Sequence, residues 1–342
     1  MKYSFIVPVY NRPDEVDELL ESLCSQTLKD FEVIIVEDGS QKPCKDVCDK
    51  YASILDLHYY YKDNSGPGQS RNYGVERANG DYVIILDSDV VLPTGYMEAI
   101  HSSLFTLHSS LNSECVAWGG PDASHPSFTP VQKAISYSMT SFFTTGGIRG
   151  SSPQSGGARG ALDKFYPRSF NMGIRRDVYL QLGGFSKMRF GEDIDFSYRI
   201  VEAGYQPRLF PDAWVWHKRR TDFRKFFRQV YNSGIARINL EKRHPGTLKL
   251  VHLLPTVFTV GVIGCLLLSL WTPLFLVPLI LYTLIILIDS TIQNKSLKVG
   301  LLSIPAAFVQ LMGYGLGFIE SWWKRCVQGK DEFQAFEKNF YS

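Results

Sequence analysis

Two stretches of this chain contain no Asp, Glu, Lys or Arg: Leu250–Ile288 and Val299–Ile319. A helix rising about 1.5 Å per residue needs about 20 apolar residues to cross a hydrocarbon layer about 30 Å thick. The first run is therefore long enough for nearly two crossings, with Trp271-Thr272-Pro273 as the natural hairpin between them. The second holds Pro305, Gln310, Gly313, Gly315 and Gly317. Its small residues suit close helix packing, and it either crosses or lies in the interface. A purely soluble protein is excluded, although the mean hydropathy of -0.07 averages this away.

The charges around these runs suggest an orientation. Lys242, Arg243 and Lys249 precede the first span and the Trp271 hairpin carries none, so the positive-inside rule puts the N-terminal part in the cytoplasm. Lys295 and Lys298 then fall inside as well. Lys324 and Arg325 fall outside if the third segment crosses, so the rule and three full spans conflict. Just upstream, Asp222–Leu240 interleaves Phe223, Phe226, Phe227, Val230 and Tyr231 with Arg224, Lys225 and Arg228. That pattern fits an interfacial amphipathic helix or an ordinary packed helix with a solvated basic face.

The remainder reads as a folded domain. Lys+Arg number 36 against 34 Asp+Glu, too even for a protein that coats nucleic acid. Six scattered cysteines, of which only Cys44 and Cys48 are close, give no zinc pattern and fit a reducing compartment. The apolar stretch at the start is too short for a signal peptide, so a cytoplasmic catalytic part is expected.

In the first third, strand-like and helix-like segments alternate. Tyr3–Val9, Glu32–Glu37, Leu57–Tyr61 and Tyr82–Leu86 are apolar runs, and Asp14–Ser25 carries Val16, Leu19, Leu20 and Leu23 at helical spacing. A further helix is expected from Gly68 to Ala78. Such alternation predicts an α/β fold with a mostly parallel sheet whose ligand sits beyond the strands' carboxyl ends. Asn11, Arg12, Asp38, Asp87 and Asp89 lie at those ends. Thr144–Gly160 is too rich in Gly and Ser to bury a core and reads as a loop, either a linker or a lid. Structure resumes at Phe170–Ile174, and Asp193–Ala203 has helical spacing.

Leu86-Asp87-Ser88-Asp89 places two carboxylates at i and i+2 directly after a buried strand. They can hold a hard divalent cation whose remaining positions take phosphate oxygens. Gly191-Glu192-Asp193 opens a helix, where acidic residues also favour the macrodipole on structural grounds alone. His217 is either a structural imidazole or a metal ligand. Lys218, Arg219, Arg220 and Arg224 form a solvated face or grip a phosphate, and Trp214 and Trp216 suit core or an acceptor platform.

From Phe5 to about His217 the chain carries SFIVPVYNR, VIIVEDGS, GPGQSRNYGVERANGDYVIILDSD, NMGIRRDVYLQLGGF, GEDIDFSYRI and WVWH, in that order. This set resembles the family 2 glycosyltransferases, which have the GT-A (Rossmann-like) fold and move a sugar from a nucleotide diphosphate to an acceptor, usually with inversion. The resemblance implies a GT-A domain at 1–220, an interfacial helix and linker at 221–249, two to three transmembrane helices at 250–320 and a tail at 321–342. Pro8, Tyr10, Arg12, Asp38 and Arg71 match positions that meet the nucleotide, Asp38 at its base. Asp87 and Asp89 match the metal and diphosphate motif, with Asp89 the stronger metal ligand and His217 completing the site in many members. Asp193 matches the base that deprotonates an acceptor hydroxyl, and Glu192 would orient the acceptor.

The implied cofactor is Mn2+ or Mg2+, and the implied donor a nucleotide-sugar, with UDP as the default. The acceptor would be lipid-linked or a glycan, and the expected location is the inner, cytoplasmic membrane. Homo-oligomerisation stays open. The Q-x-x-R-W segment of processive members is missing, the nearest stretch being Arg228-Gln229-Val230-Tyr231-Asn232, so a single addition is expected. Three alternatives stand beside this reading: a polyprenyl-phosphate glycosyltransferase, a nucleotidyltransferase and a non-catalytic nucleotide-binding scaffold. PVYNRPDE has no Gly-rich basic loop after the first strand, which speaks against the second, and the intact Asp87, Asp89 and Asp193 speak against the third.

Overall fold

The computed structural model describes residues 2–111, 114–145, 165–188, 190–218, 220–333 and 335. From residue 146 on, the expected loop at Thr144–Gly160 lies outside the described residues, as does Arg219 of the basic run. The chain divides into two compact units, Met1–His125 with Ser151–Lys218 and Pro126–Gly150 with Arg219–Ser342. The described residues 126–145, inside the expected 1–220 domain, thus group with the apolar helices.

The first unit runs β1 (Tyr3–Val9), α1 (Pro13–Cys24), β2 (Phe31–Asp38), α2 (Lys45–Tyr51), β3 (Asp56–Lys62), α3 (Pro67–Glu76), β4 (Tyr82–Leu86), β5 (Val90–Val91), α4 (Tyr96–Leu111), β6 (Ala117–Gly119) and β7 (Asp122–Ala123). The chain then gives α5 (Pro130–Thr140) and α6 (Phe142–Thr145) to the second unit. It returns with β8 (Asn171–Arg175), α7 (Arg176–Gln181), α8 (Glu192–Glu202), β9 (Arg208–Leu209) and β10 (Val215–His217). Each expected strand and helix of this unit is present within a residue or two.

The large sheet has the order β3-β2-β1-β4-β8-β6-β9. The first four strands pair in parallel, while β8 is antiparallel to both β4 and β6. Alternate residues of β1, β2 and β4 face opposite layers. Phe5, Val7, Val33, Ile35 and Ile84 pack with Leu19, Leu20 and Leu23 of α1 and with α4. Ile6, Ile34, Val36, Val83 and Ile85 pack with Val75 and with Phe196 and Ile200 of α8. Burial on both faces is why these strands read as unbroken apolar runs, each such side chain contributing about 1.5–3 kcal/mol.

A second, three-stranded sheet has the order β5-β10-β7. Trp216 and His217 pair antiparallel with Val91 and Val90, and Val215 and Trp216 pair in parallel with Asp122 and Ala123. These strands are too short for a hydrophobic period, yet they fix the position of His217.

The second unit adds α9 (Phe223–Arg243), a 3-10 turn at Leu250–Leu253, α10 (Leu254–Leu268), α11 (Val277–Asn294) and α12 (Leu297–Trp322). Among the described residues, three helical stretches are long and apolar enough to cross a membrane: Leu250–Leu268, Pro273–Asn294 and Leu297–Val327. Asp222 caps α9, its Oδ1 accepting from Lys225 N at 2.7 Å. The apolar face of α9, with Phe226, Val230, Ile235 and Ile238 buried, is covered within this unit. Gly234 of α9 and Gly313 and Gly317 of α12 let the two backbones meet; a Cβ on Gly317 would lie 2.1 Å from the Tyr231 carbonyl oxygen. The expected Asp222–Leu240 helix therefore rests its buried apolar residues on α5 and α12 within this unit.

Candidate active site

The ends of β1, β2 and β4 line one edge of the sheet. Past β1 the backbone turns at Asn11, whose φ of 54° an Asn tolerates. Asn11 Oδ1 accepts from Gln41 N and Lys42 N at 2.7 and 2.9 Å, tying the loop after β1 to the loop after β2. That tie aims Arg12 at the end of β4, where its guanidinium meets Asp89 Oδ2 at 2.6 Å. The Asp89 charge raises the pKa of Arg12 further.

Asp87 and Asp89 follow β4 directly, and β10 brings His217 beside them. One ligand atom from each of the three lies within 4.8 Å of the others. His217 Nε2 is 3.3 Å from Asp89 Oδ1 and its Nδ1 is 3.9 Å from Asp122 Oδ2. The ring stacks on Phe170 with centroids 5.1 Å apart, which holds its plane. Its Nδ1 is buried with no hydrogen-bond partner among the described residues. Two carboxylates and an imidazole with a carboxylate behind it fit a divalent cation.

Arg71 joins this triad to the second acidic motif. It projects from α3 and is 3% exposed. Its NH2 reaches Asp87 Oδ1 at 2.7 Å and its NH1 reaches Glu192 Oε1 at 2.9 Å. The guanidinium also lies 5.1 Å from the centroid of the Phe185 ring. Gly68 permits this, since a Cβ there would already press on Phe185 and Glu192 at 3.3 and 3.4 Å. Burial opposes the Arg71 charge, but Asp87 and Glu192 outweigh it and hold the group protonated.

Glu192 and Asp193 open α8 behind Gly191, whose φ of 83° is in the left-handed region. Asp193 Oδ2 accepts from Arg168 Nε at 2.6 Å and Oδ1 from Ile194 N at 2.9 Å. The two neighbours titrate in opposite directions. Burial pushes Glu192 up to about 7, with the Asp193 charge adding to the push against the pull of Arg71. Burial also opposes the Asp193 charge, but Arg168 and then Arg71 keep its carboxyl below the ordinary range.

The sequence-derived residues are thus not all equivalent. Arg12, Asp87, Asp89 and His217 meet in one cluster, and Arg71 links Asp87 to Glu192. Asp38 is committed elsewhere: its oxygens accept from Ser65 N and Gly66 N at 2.9 Å each and from Lys62 Nζ, holding the turn into α3. A carboxylate has about four lone-pair positions, so contact with a base would use the remainder. Pro8 is buried inside β1, just past the last β1–β4 pair at Ile6 and Ile85, and Tyr10 is half-buried at the edge. Lys218 is paired with Glu18 at 2.7 Å. Trp214 and Trp216 are half-buried, with rings edge-on at 4.8 Å, and neither is core.

Sequence reasoning missed Arg168 and Asp122. No spacing marks either residue; Asp122 is placed by the β7–β10 register and Arg168 by the approach to β8.

A sheet edge that gathers a cation-compatible triad and an acidic pair on either side of a buried arginine fits a nucleotide-handling α/β protein. Two family models match the chain: glycosyl transferase family 2 over residues 4–104 and glycosyl transferase family group 2 over residues 167–293. The chain belongs to the family 2 glycosyltransferases. An uncharacterised glycosyltransferase of Rickettsia felis is 40% identical over 88 residues, 26% of this chain and 15% of that protein. The pre-mycofactocin glycosyltransferase of Mycobacterium tuberculosis is 26% identical over 254 residues, 70% of this chain and 47% of that protein. The matched region thus spans less than half the length of these relatives. In fold, the chain resembles a mannosyltransferase of Pyrobaculum calidifontis solved with GDP-Man and Mn2+. The TM-score is 0.61 at 16% identity, over 91% of this chain and 87% of that one.

Proposed function

We propose that this chain is a membrane-associated, metal-dependent, inverting glycosyltransferase that moves one sugar from a nucleotide diphosphate to a lipid-linked acceptor. The observation that carries the reading is Arg71, a single buried guanidinium in contact with both Asp87 and Glu192. It ties the Asp87–Asp89–His217 cluster to the Glu192–Asp193 pair, far apart in sequence, through one side chain, which supports reading the first as the cation site and the second as the acid–base pair.

Asp87, Asp89 and His217 would hold the cation, which supplies charge neutralisation for a departing diphosphate. Arg12 adds positive charge at the same edge. Asp193, the more ionised of the acidic pair, takes the proton of an acceptor hydroxyl as its oxygen bonds to the anomeric carbon. The bond from that carbon to the diphosphate oxygen breaks on the opposite face, so configuration inverts and no glycosyl-enzyme forms. Glu192, held by Arg71, orients the acceptor. A catalytic part facing the cytoplasm would meet its nucleotide-sugar there.

A second acceptor class has its own support. Arg168 sits on Asp193, and a guanidinium beside the base suits an anionic acceptor such as a polyprenyl phosphate, which needs no deprotonation.

The test is donor turnover by the purified full chain with Mn2+ or Mg2+ and a panel of UDP- and GDP-linked sugars. Release of nucleoside diphosphate, lost in Asp89→Asn together with the Mn2+-induced rise in melting temperature, is expected. No release and no donor- or metal-dependent thermal shift anywhere in the panel would overturn the proposal.

A further inference from the structure

His217 reaches the cation cluster from a strand of three residues, and a ring placed that way still has a choice of orientation. Its backbone is fixed: His217 pairs with Val90, and Lys218 N donates to the Asp89 carbonyl at 3.0 Å. Phe170 stacks on the ring and holds its plane. An apolar stack does not distinguish the two ring nitrogens, since half a turn about Cβ–Cγ leaves the imidazole in the same plane. Which nitrogen meets Asp89 must be decided by a polar group at the opposite edge of the ring.

The fold sets Asp122 at that edge. Gly119-Gly120-Pro121 carries the chain from β6 into β7. A Cβ on Gly120 would lie 1.7 Å from the Ala213 carbonyl oxygen, so the chain passes this close only as glycine. Val215 N then donates to the Pro121 carbonyl at 3.1 Å, and the ladder continues with Val215 beside Asp122. Residues two apart on a strand share a face, so Asp122 and His217 stand on the same side of the small sheet. Asp122 Oδ2 thereby comes to 3.9 Å from His217 Nδ1, while Nε2 lies 3.3 Å from Asp89 Oδ1. Nδ1 is the buried nitrogen that lacks a hydrogen-bond partner among the described residues. About 1 Å separates it from hydrogen-bond distance to the carboxylate. An imidazole that gives its Nε2 lone pair to a cation carries its proton on Nδ1, and a buried N–H calls for an acceptor.

We propose that Asp122 is a positioning residue of the cation site: its carboxylate accepts from His217 Nδ1–H, keeps Nε2 turned toward Asp87 and Asp89, and tightens cation binding. The inference rests on the reading of Asp87, Asp89 and His217 as cation ligands and adds a residue that acts through one of them. A carboxylate in this role is worth about 10–100-fold in metal affinity. Asp122 bears on the acidic pair as well. Burial opposes the Arg168 charge, Asp193 chiefly sustains it, and Asp122 adds to that support. Loss of Asp122 therefore reaches Asp193 by a second route, which turnover alone would not separate from the first.

Mn2+ binding separates them. The free-Mn2+ EPR signal is followed with the full chain in detergent, without nucleotide and with whichever of UDP and GDP the parent binds. Asp122→Ala should weaken Mn2+ about 10–100-fold, and Asp122→Asn, which keeps an acceptor oxygen, should recover most of the loss. In a His217→Ala background, Asp122→Ala should change Mn2+ affinity less than about 3-fold, because the residue it acts through is gone. If Asp122→Ala fails to fold, Asp122→Ser, too short to reach Nδ1, carries the same expectation. Mn2+ affinity of these variants within about 3-fold of a parent that binds would overturn this inference and leave the cation site standing. Losses that multiply in the double variant would overturn it too, since Asp122 would then act independently of His217. A parent that binds no Mn2+, alone or with UDP or GDP, would overturn the cation site and this inference together.

Discussion

Replacing Arg71 by Met removes a cation from between two carboxylates while keeping most of the side-chain volume. Breaking a buried ion pair by deleting one partner destabilises by about 3–5 kcal/mol, because the surviving charge is left unpaired. The lower end applies here. The Asp87 side chain is 30% exposed and can hydrate, and Glu192, at 10%, can take up a proton. About 3 kcal/mol at about 2–4 °C per kcal/mol gives a fall in melting temperature of about 6–12 °C.

The pH dependence of that fall has a definite sign. In the native protein Glu192 titrates at about 7, above its ordinary 4.5. The folded state therefore holds the extra proton between those values, and the Glu192 contribution to stability declines as pH rises through that window. Without Arg71 the folded value moves higher and the decline continues past pH 7. The gap between Arg71→Met and the parent should thus be larger at pH 8 than at pH 6. Adding Glu192→Gln removes the stranded carboxylate and should restore about 1 kcal/mol or more at pH 8. The assay is tryptophan-fluorescence melting of the full chain in detergent at a fixed scan rate. A gap under about 1 °C at pH 8, or one that widens toward pH 6, would refute the buried bridge.

Two further substitutions address the chemistry. Asp193→Asn should lower turnover at least about 100-fold if the acceptor is a hydroxyl and change it little if the acceptor is a lipid phosphate, so the ratio of rates sorts the two acceptor classes. Arg168→Gln removes the cation that keeps Asp193 ionised. The acidic limb of the pH–rate profile for hydroxyl transfer should then move to higher pH, and an unmoved limb would separate Arg168 from the base.

Much of the sheet was legible because its central strands are buried on both faces. Tyr3–Val9 and Tyr82–Leu86 read as continuous apolar runs for that physical reason, and the rule that ligands gather at strand carboxyl ends pointed to Arg12, Asp87 and Asp89. The antiparallel β8 was not legible, since pairing direction leaves no mark on a five-residue apolar segment. The meeting of His217 with Asp89 depends on strands of two and three residues, below any detectable period. Arg168 and Asp122 carry no signal because an isolated charge acquires a role only from what the fold sets opposite it.

The same limit explains the third apolar helix. Hydropathy counts what a helix is made of, and by that measure α12 and the hairpin helices belong together. Where a helix sits depends also on what it cannot be separated from. Gly234 of α9 and Gly317 of α12 seat the two helices through backbone contacts that any side chain would break, and Gly313 makes room for Val230. Of the glycines that made Val299–Ile319 look like a poor span, Gly313 and Gly317 pack on α9 and Gly315 on α10, so each marks a close helix contact that composition alone does not reveal.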